Sequence, residues 1–202
     1  PLSSSAASDV YKRQTYSMRT LAYHEATPGH HHQIAHSLEN EDLTLYRRFG
    51  YYTSAFAEGW ALYSEILALE AGLAEDPYDE LGILQSELFR AVRLVVDTGM
   101  HYKRWTREEA MKYMKTKTGM SDTEVRVEIE RYIVWPGQAL SYKVGMIKIL
   151  ELREKAMSEL GDKFNIKDFH SAVLDHGNPP LFIVEEMVNN MTVSYTHLTL
   201  PT

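Results

Sequence analysis

The chain contains no cysteine, so disulfides, thiolate nucleophiles and thiolate metal ligands are excluded. Any metal site must therefore use histidine and carboxylate side chains. The net charge of −7 and the lack of any lysine and arginine run argue against a nucleic-acid partner. No apolar run approaches the roughly 18 residues of a membrane helix, and no signal-peptide pattern opens the chain.

The composition is that of an ordinary globular protein, with 44% apolar and 24% charged residues among 202. This length suits one domain or a large piece of one. Residues 1–14 and 193–202 resemble translated sequencing adapters at the ends of assembled metagenomic fragments, the alternative being ordinary tails. We therefore expect non-native ends around a helical domain at 15–192, which would be a fragment of a longer protein. Since a native N-terminus would then be missing, the sequence predicts no cellular location.

Signals for helix starts and stops recur along the chain, whereas alternating strand patterns are scarce. Thr106 with Glu109, and Ser121 with Glu124, have the spacing of the capping box. The sequence therefore predicts an all-α fold. Helices are expected at about residues 20–28, 30–38, 43–72 with a break near Gly50, 79–102, 106–119, 121–135, 138–160, 166–175 and 181–190.

The stretch "YHEATPGHHHQIAH" (23–36) contains five of the nine histidines of the chain. His24-Glu25 resembles the start of the His-Glu-x-x-His pattern of zinc peptidases, but Pro28 stands where the second histidine belongs. His30, at i+6, would lie about 120° around an unbroken helix from His24, and i+7 would lie about 10 Å along it. An unbroken helix therefore cannot join these histidines in one metal site.

Pro28-Gly29 indicates that the helix is broken, because proline disrupts a helix interior and glycine permits unusual dihedral angles. Two residues looped out there would return His30 to the position normally held by i+4, and such bulges are frequent at functional sites. The alternative is a surface histidine cluster before a kinked helix. His32 and His36 form a further i,i+4 pair, expected to face solvent or to support the site.

The segment "AFAEGWALYSE" (55–65) offers a third ligand. Glu58 and Glu65 lie seven residues apart on one face of an otherwise apolar helix. A carboxylate on such a face is costly to bury unless it is paired or metal-bound. We expect Glu58 to bind the metal and Glu65 to orient a ligand histidine. The alternative is that one or both face solvent.

Arg90, Arg93, Asp97 and His101 form one helical stripe at spacings of 3, 4 and 4. If buried, this stripe would suit the binding of a charged substrate terminus or the stabilisation of an oxyanion. If solvated, it would only carry ion pairs.

Gln138 and Tyr142 are i,i+4 neighbours after the Pro136-Gly137 break. A tyrosine hydroxyl can donate to a tetrahedral intermediate, although most tyrosines at such positions merely pack. We include Gln138 among the expected substrate-binding residues and Tyr142 among the expected catalytic ones.

Five motifs together resemble the bacterial family known as domain of unknown function 885, in its order and over about residues 16–192. They are "HEATPGHHHQ" (24–33), "AFAEGWALYSE" (55–65), "FRAVRLVVDTGMH" (89–101), "WPGQALSYKVG" (135–145) and "FHSAVLDHGNPPL" (169–181). The family is larger than this chain, which the resemblance therefore identifies as the C-terminal part of a larger helical protein.

That family is similar to the helical zinc peptidases of the glutamate-zincin kind, which include angiotensin-converting enzyme and the oligopeptidases. The resemblance implies a zincin-like helical metallopeptidase domain in which His24, His30 and Glu58 bind Zn²⁺ and Glu25 is the catalytic base. The spacing between the two ligand histidines departs from the ordinary motif by two residues. We expect Glu65, Asp97 and His31 to lie beside the metal ligands and to support them.

The function expected from these patterns is a zinc-dependent hydrolase that cleaves short peptides by Glu25-assisted attack of zinc-bound water. His101 or Tyr142 would stabilise the oxyanion, and Arg90 or Arg93 would hold a peptide carboxylate. Two alternatives stay open at this stage, a non-catalytic peptide-binding domain with a degenerate metal site and a zinc amidohydrolase acting on non-peptide amides. A fragment of the protein could itself be inactive.

Overall fold

The computed structural model describes residues 15–197 of the chain. This part contains nine α-helices and no β-strand, which confirms the all-α prediction. The helices are α1 (Met18–Glu25), α2 (His30–Glu39), α3 (Ser54–Glu70), α4 (Pro77–His101), α5 (Arg107–Thr118), α6 (Asp122–Val134), α7 (Gln138–Leu160), α8 (Ile166–Leu174) and α9 (Leu181–His197). Short 3₁₀ turns lie at Thr15–Ser17 and Gly161–Lys163, and a π-helical turn lies at Tyr46–Gly50.

Local capping chemistry sets the ends of α5 and α6. Thr106 and Ser121 each accept a hydrogen bond from the backbone three residues later, and the glutamate there bonds back to the cap. Both predicted capping boxes are therefore confirmed. Between the two helices Gly119 has φ = 69°, the left-handed conformation that glycine adopts without steric cost.

The break predicted near Gly50 within the helical stretch 43–72 is present. The π-helical turn ends at Gly50, Tyr51 and Thr53 are extended, and α3 begins only at Ser54. A tertiary contact holds this break, because the backbone N–H and hydroxyl of Thr53 donate to the side chain and carbonyl of Asn178, 125 residues later. Nothing in the local sequence announces that contact.

Two other boundaries differ from the prediction. Helix α4 begins at Pro77, because Asp76 caps the N–H groups of Tyr78 and Asp79. Helix α9 continues past Asn190 to His197, so the first five residues of the predicted 193–202 tail lie in this helix. The other predicted tail residues, 1–14 and 198–202, lie outside the described part, and the 15–192 domain stays a prediction.

Helix α3 is the central element of the fold. Every residue from Phe56 to Glu65 is buried, and the helix packs chiefly against α7, with α8 and α9 completing the core around it. A second apolar cluster, which includes Val96, Met114 and Ile129, joins α4, α5 and α6 beside the start of α7. The N-terminal halves of α3 and α7 therefore meet α4 between the two clusters.

Two glycines allow α3 and α7 to approach closely. A Cβ added at Gly59 would lie 2.4 Å from the Cα of Gly145, and one added at Gly145 would lie 1.9 Å from the carbonyl oxygen of Ala55. These neighbours are backbone atoms, which cannot move aside as a flexible side chain can. The close approach fixes the distance between the two helices that carry Glu58 and Tyr142.

In the described residues, every helix is too short or too polar to cross a membrane.

We predict that Gly145→Ala destabilises the fold. Alanine favours a helix over glycine by about 1 kcal/mol, but overpacking against backbone costs roughly 1–3 kcal/mol and here meets a carbonyl oxygen directly. The melting temperature measured by circular dichroism should therefore fall. Ser158→Ala, on the exposed face of the same helix, is the matched control and should not lower it. An unchanged melting temperature for Gly145→Ala would show that α3 and α7 can separate at little cost.

Candidate metal centre

The break between α1 and α2 has the geometry that the histidine spacing requires. Helix α1 ends at Glu25 rather than at Pro28, and α2 begins at His30. The N–H of His32 donates to the carbonyl of Ala26, six residues earlier instead of the helical four, at 3.2 Å. Two extra residues are thus accommodated between the helices, as the spacing of His24 and His30 demands.

Backbone packing holds this bend against α3. A Cβ added at Gly29 would lie 1.9 Å from the carbonyl oxygen of His24, so the chain can pass only with glycine at this position. The indole N–H of Trp60 donates to the carbonyl of Pro28 at 2.9 Å. The bend and α3 are therefore tied together two residues from Glu58.

His24, His30 and Glu58 converge on one point. Nε2 of His30 lies 3.2 Å from Oε2 of Glu58, and Nε2 of His24 lies 3.7 Å from the same oxygen. All three potential ligand atoms lie within 4.8 Å of one another, and the two imidazole rings meet edge to face at 4.9 Å between centroids. The structure brings together the three residues that the sequence nominates as metal ligands.

Glu65 orients His24 from behind. Its Oε1 accepts a hydrogen bond of 2.7 Å from Nδ1 of His24, and both side chains are almost completely buried. This bond fixes the tautomer and leaves Nε2 directed at Glu58, which is the usual arrangement of a metal-binding histidine. Glu65 therefore takes the place expected for it beside the ligands.

The donor set fits zinc. Two imidazole nitrogens and one carboxylate oxygen leave a fourth position for water or substrate, as in catalytic zinc sites. A carboxylate behind one histidine raises its basicity as a ligand. The buried Oε2 of Glu65 has no hydrogen-bond partner in the described part of the chain, so the contact of Oε1 with His24 is the side-chain hydrogen bond that Glu65 makes there.

The charges of the centre are coupled through these contacts. Burial opposes ionisation of Glu58, but hydrogen bonds from His24, His30 and Tyr142 lower its pKa to about 2. Burial also opposes protonation of His24, but Glu58 and Glu65 outweigh it and raise the pKa of His24 above 6.5. The two carboxylates around His24 therefore favour a cation at this position.

Gln138 contacts the carboxylate of Glu58, the candidate metal ligand, rather than an open substrate site. Its Nε2 donates to Oε1 of Glu58 at 3.4 Å and to the hydroxyl of Tyr142 at 3.3 Å. Its Oε1 accepts from Arg93 and Arg131, each at 3.2 Å. The geometry thus assigns Gln138 to the orientation of Glu58, where the sequence predicted substrate binding.

The two stripe arginines differ in their contacts. Arg93 is 2% exposed, lies 4.3 Å above the Tyr142 ring and donates to Gln138. Arg90 lies over the same ring at 5.3 Å, and its buried Nε has no hydrogen-bond partner among the described residues. Burial lowers the pKa of Arg90, with Glu65 acting in the opposite sense. Of the pair, Arg90 is the guanidinium left available to a ligand.

The two other residues of the stripe, Asp97 and His101, make their hydrogen bonds away from the candidate metal centre. Asp97 is buried and accepts from the backbone N–H of Gly137 at 3.0 Å, which anchors the turn that begins α7. His101 is exposed at the end of α4 and bonds to the carbonyl of Tyr132 at 2.9 Å. The geometry therefore favours Tyr142 over His101 as the donor near the metal ligands. The catalytic role predicted for His101 gains no contact with the centre in the described part of the chain.

Glu25 and His31 flank the ligand histidines, and both are exposed. Sequence analysis missed Tyr52, for which burial, Glu58 and Tyr142 together raise the pKa to about 12. Tyr52 lies in the break that the sequence predicted near Gly50. The only signal was its position six residues before Glu58.

A family model for a bacterial protein of unknown function, DUF885, matches residues 4–188. The chain belongs to this family. The match begins inside the segment 1–14 and takes in all three candidate ligands. The family resemblance inferred from the five motifs is therefore confirmed.

Two solved structures are similar to the chain. "The putative lipoprotein from Colwellia psychrerythraea" is 54% identical, with a TM-score of 0.85 over 89% of this chain and 31% of that one. "A putative lipoprotein of unknown function from Shewanella oneidensis" is 27% identical, with a TM-score of 0.83 over 94% of this chain and 35% of that one. The chain thus spans about a third of their length. No curated protein matches it.

We predict that Glu65→Gln lowers the pKa of His24 in the metal-free chain. His24 titrates above 6.5, so its charged form adds stability below pH 6.5, and this is lost as pH rises through the raised pKa. Removing one carboxylate leaves burial less opposed, and the pKa falls. An NMR pH titration of the His24 ring under chelator measures the change.

Glu70→Gln is the matched control for that titration, because Glu70 lies at the exposed end of α3 and pairs with Arg153 at 2.7 Å. It should leave the titration of His24 in place. A His24 pKa that stays the same in Glu65→Gln would contradict the charge coupling described above.

Proposed function

We propose that this chain carries the metal centre of a zinc-dependent hydrolase that cleaves peptide bonds, in a zincin-like helical metallopeptidase fold. The observation that carries the proposal is the convergence of His24, His30 and Glu58 within 4.8 Å, with Glu65 bonded behind His24. Two histidines and a glutamate with an open fourth position form the ligand set of several zinc peptidases. The looped-out Pro28-Gly29 pair reconciles the unusual histidine spacing with this ligand set.

Zinc, when bound, supplies Lewis acidity that activates water and polarises a carbonyl oxygen. Glu25 follows His24 directly at the end of α1 and is exposed. Its carboxylate is the base that takes a proton from the attacking water and returns it to the leaving amine. A glutamate with no competing hydrogen bond among the described residues is free to do both.

Tyr142 supplies the donor to the developing oxyanion. Its hydroxyl oxygen accepts the N–H of Gln138, so its own proton remains to be donated to Glu58 or to a substrate oxygen. Arg93 and Arg131 hold Gln138 from the other side. Arg90, whose Nε has no hydrogen-bond partner among the described residues, is the residue that would hold a substrate carboxylate. A binding site for a terminal carboxylate favours short peptides as substrates.

The chain should bind one equivalent of zinc. Because His24 and His30 each supply a ligand atom, replacing either with alanine should weaken binding by more than the roughly 10–100-fold expected for a supporting residue such as Glu65. Zinc is measured by mass spectrometry after dialysis and by calorimetric titration. His36→Ala is the matched control, since His36 lies on the same helix but pairs with Asp175. The proposal would be contradicted if the chain bound no zinc, or if His24→Ala bound zinc as tightly as the unchanged chain.

Glu25→Gln should keep the zinc and lose turnover. A missing general base costs about 10²–10⁴-fold in rate, whereas the metal ligands are untouched. Digestion of a peptide library, beside a panel of small amides, measures the loss and identifies the bond cleaved. Cleavage of the amides alone would favour the amidohydrolase reading. Peptide binding without turnover, unchanged in Glu25→Gln, would favour the non-catalytic one.

A further inference from the structure

A cavity of about 330 Å³ opens between α2, the π-helical turn and the extended segment before α3. Its wall is largely apolar and aromatic, with Ile34, Leu38, Phe49, Tyr51 and Tyr52 among its residues. This volume lies at the small end of the roughly 300–1,000 Å³ range of ligand pockets. The cavity therefore suits one large side chain rather than a length of peptide.

The cavity adjoins the metal centre on two sides. Gln33, in its wall, follows His30 by three residues, which places both side chains on one face of α2 about one turn apart. Tyr52, which also lines the cavity, directly precedes Thr53, the residue that caps the helix carrying Glu58. A substrate whose scissile bond lies at the metal ligands can thus place a neighbouring side chain here.

One polar group in the wall lacks a partner. Gln33 is only 2% exposed, and its Oε1 is buried with no hydrogen-bond partner among the described residues. A buried acceptor left unpaired costs roughly 1–3 kcal/mol. Because Oε1 is out of reach of solvent in the free chain, a ligand donor relieves this cost only when the Gln33 amide turns towards the cavity on binding. Phenol and indole groups combine such a donor with a large apolar body.

Of the two arginines in the cavity wall, one is already hydrogen-bonded within the protein. The Nε of Arg48 donates to the carbonyl of Leu38 at 2.9 Å, and its guanidinium lies over the Phe49 ring at 5.2 Å. Arg47 remains exposed at the rim. The interior therefore offers an acidic side chain no buried cation, and an aromatic side chain fits better.

We infer that this cavity is a specificity pocket for a substrate tyrosine or tryptophan side chain, whose hydroxyl or indole N–H donates to Gln33. The inference names a class of substrate for the proposed function, and it rests on that function only in calling the bound molecule a substrate. Binding of the side chain itself needs no metal, so the two can be tested apart.

The test titrates the zinc-free and the zinc-loaded chain with N-acetyl-L-tyrosinamide, and with the phenylalanine and glutamate analogues, following backbone amide signals by NMR. The tyrosine amide should shift signals at 33–38 and 47–52 and bind about 3–10-fold more tightly than the phenylalanine amide, the difference expected for one hydrogen bond. Tighter binding of the glutamate amide, or shifts elsewhere, would overturn the inference.

Variants separate the amide from the cavity shape. Gln33→Leu should bind both aromatic amides equally, because the acceptor is gone, and should keep its zinc. Ser37→Ala, which alters another residue of the same wall, should keep the preference for tyrosine. Ile34→Trp, at a side chain that is 45% exposed and so tolerant of change, should fill the cavity and abolish binding of both amides. A tyrosine preference that survives Gln33→Leu refutes the role of Gln33.

Hydroxamates then test whether pocket and metal centre adjoin. With zinc loaded, L-tyrosine hydroxamate should bind at least about 10-fold more tightly than acetohydroxamate, because one ligand spans both sites. If zinc binds but L-tyrosine hydroxamate binds no more tightly than acetohydroxamate, the inferred specificity pocket is wrong and the proposed metal centre is supported. If the aromatic amides bind and zinc does not, the proposed function fails and the cavity remains a ligand site.

Discussion

The hydrogen bond between His24 and Glu65 is the interaction on which the candidate metal centre depends. A carboxylate buried as deeply as Glu65 is costly unless a partner stabilises its charge, and the imidazole of His24 is that partner. The same bond turns the other nitrogen of His24 towards Glu58. Position, tautomer and charge of one ligand are thus set by a residue two helical turns from the other acid on α3.

The bend between α1 and α2 follows from that constraint. With His24 fixed against α3, the chain must turn back within a few residues for His30 to reach Glu58, and Gly29 permits the tight passage. Trp60 ties the bend to the same helix. Helix α3 therefore carries one candidate ligand, supports a second through Glu65 and positions the third through its contact with the bend.

Much of the fold followed from local patterns. The two capping boxes, the glycine at 119 and the long helix over 138–160 depend on neighbours within a few residues, and all were found where expected. The break predicted near Gly50 is also present, and there Asn178 holds Thr53 extended. Contacts between residues 125 positions apart leave no periodic signal. For that reason neither Tyr52 nor the cavity that it lines was expected from the sequence.

By itself the sequence determined which residues could bind a metal, because histidine and glutamate spacings limit which side chains can share an ion, and helix geometry required a break at Pro28-Gly29. Only the tertiary structure decided their roles. Gln138 contacts Glu58, Arg93 is bound to Gln138 while Arg90 is not, and Asp97 supports a turn. These roles depend on how α3, α4 and α7 pack together. Spacing along one helix fixes a face, but not what that face meets.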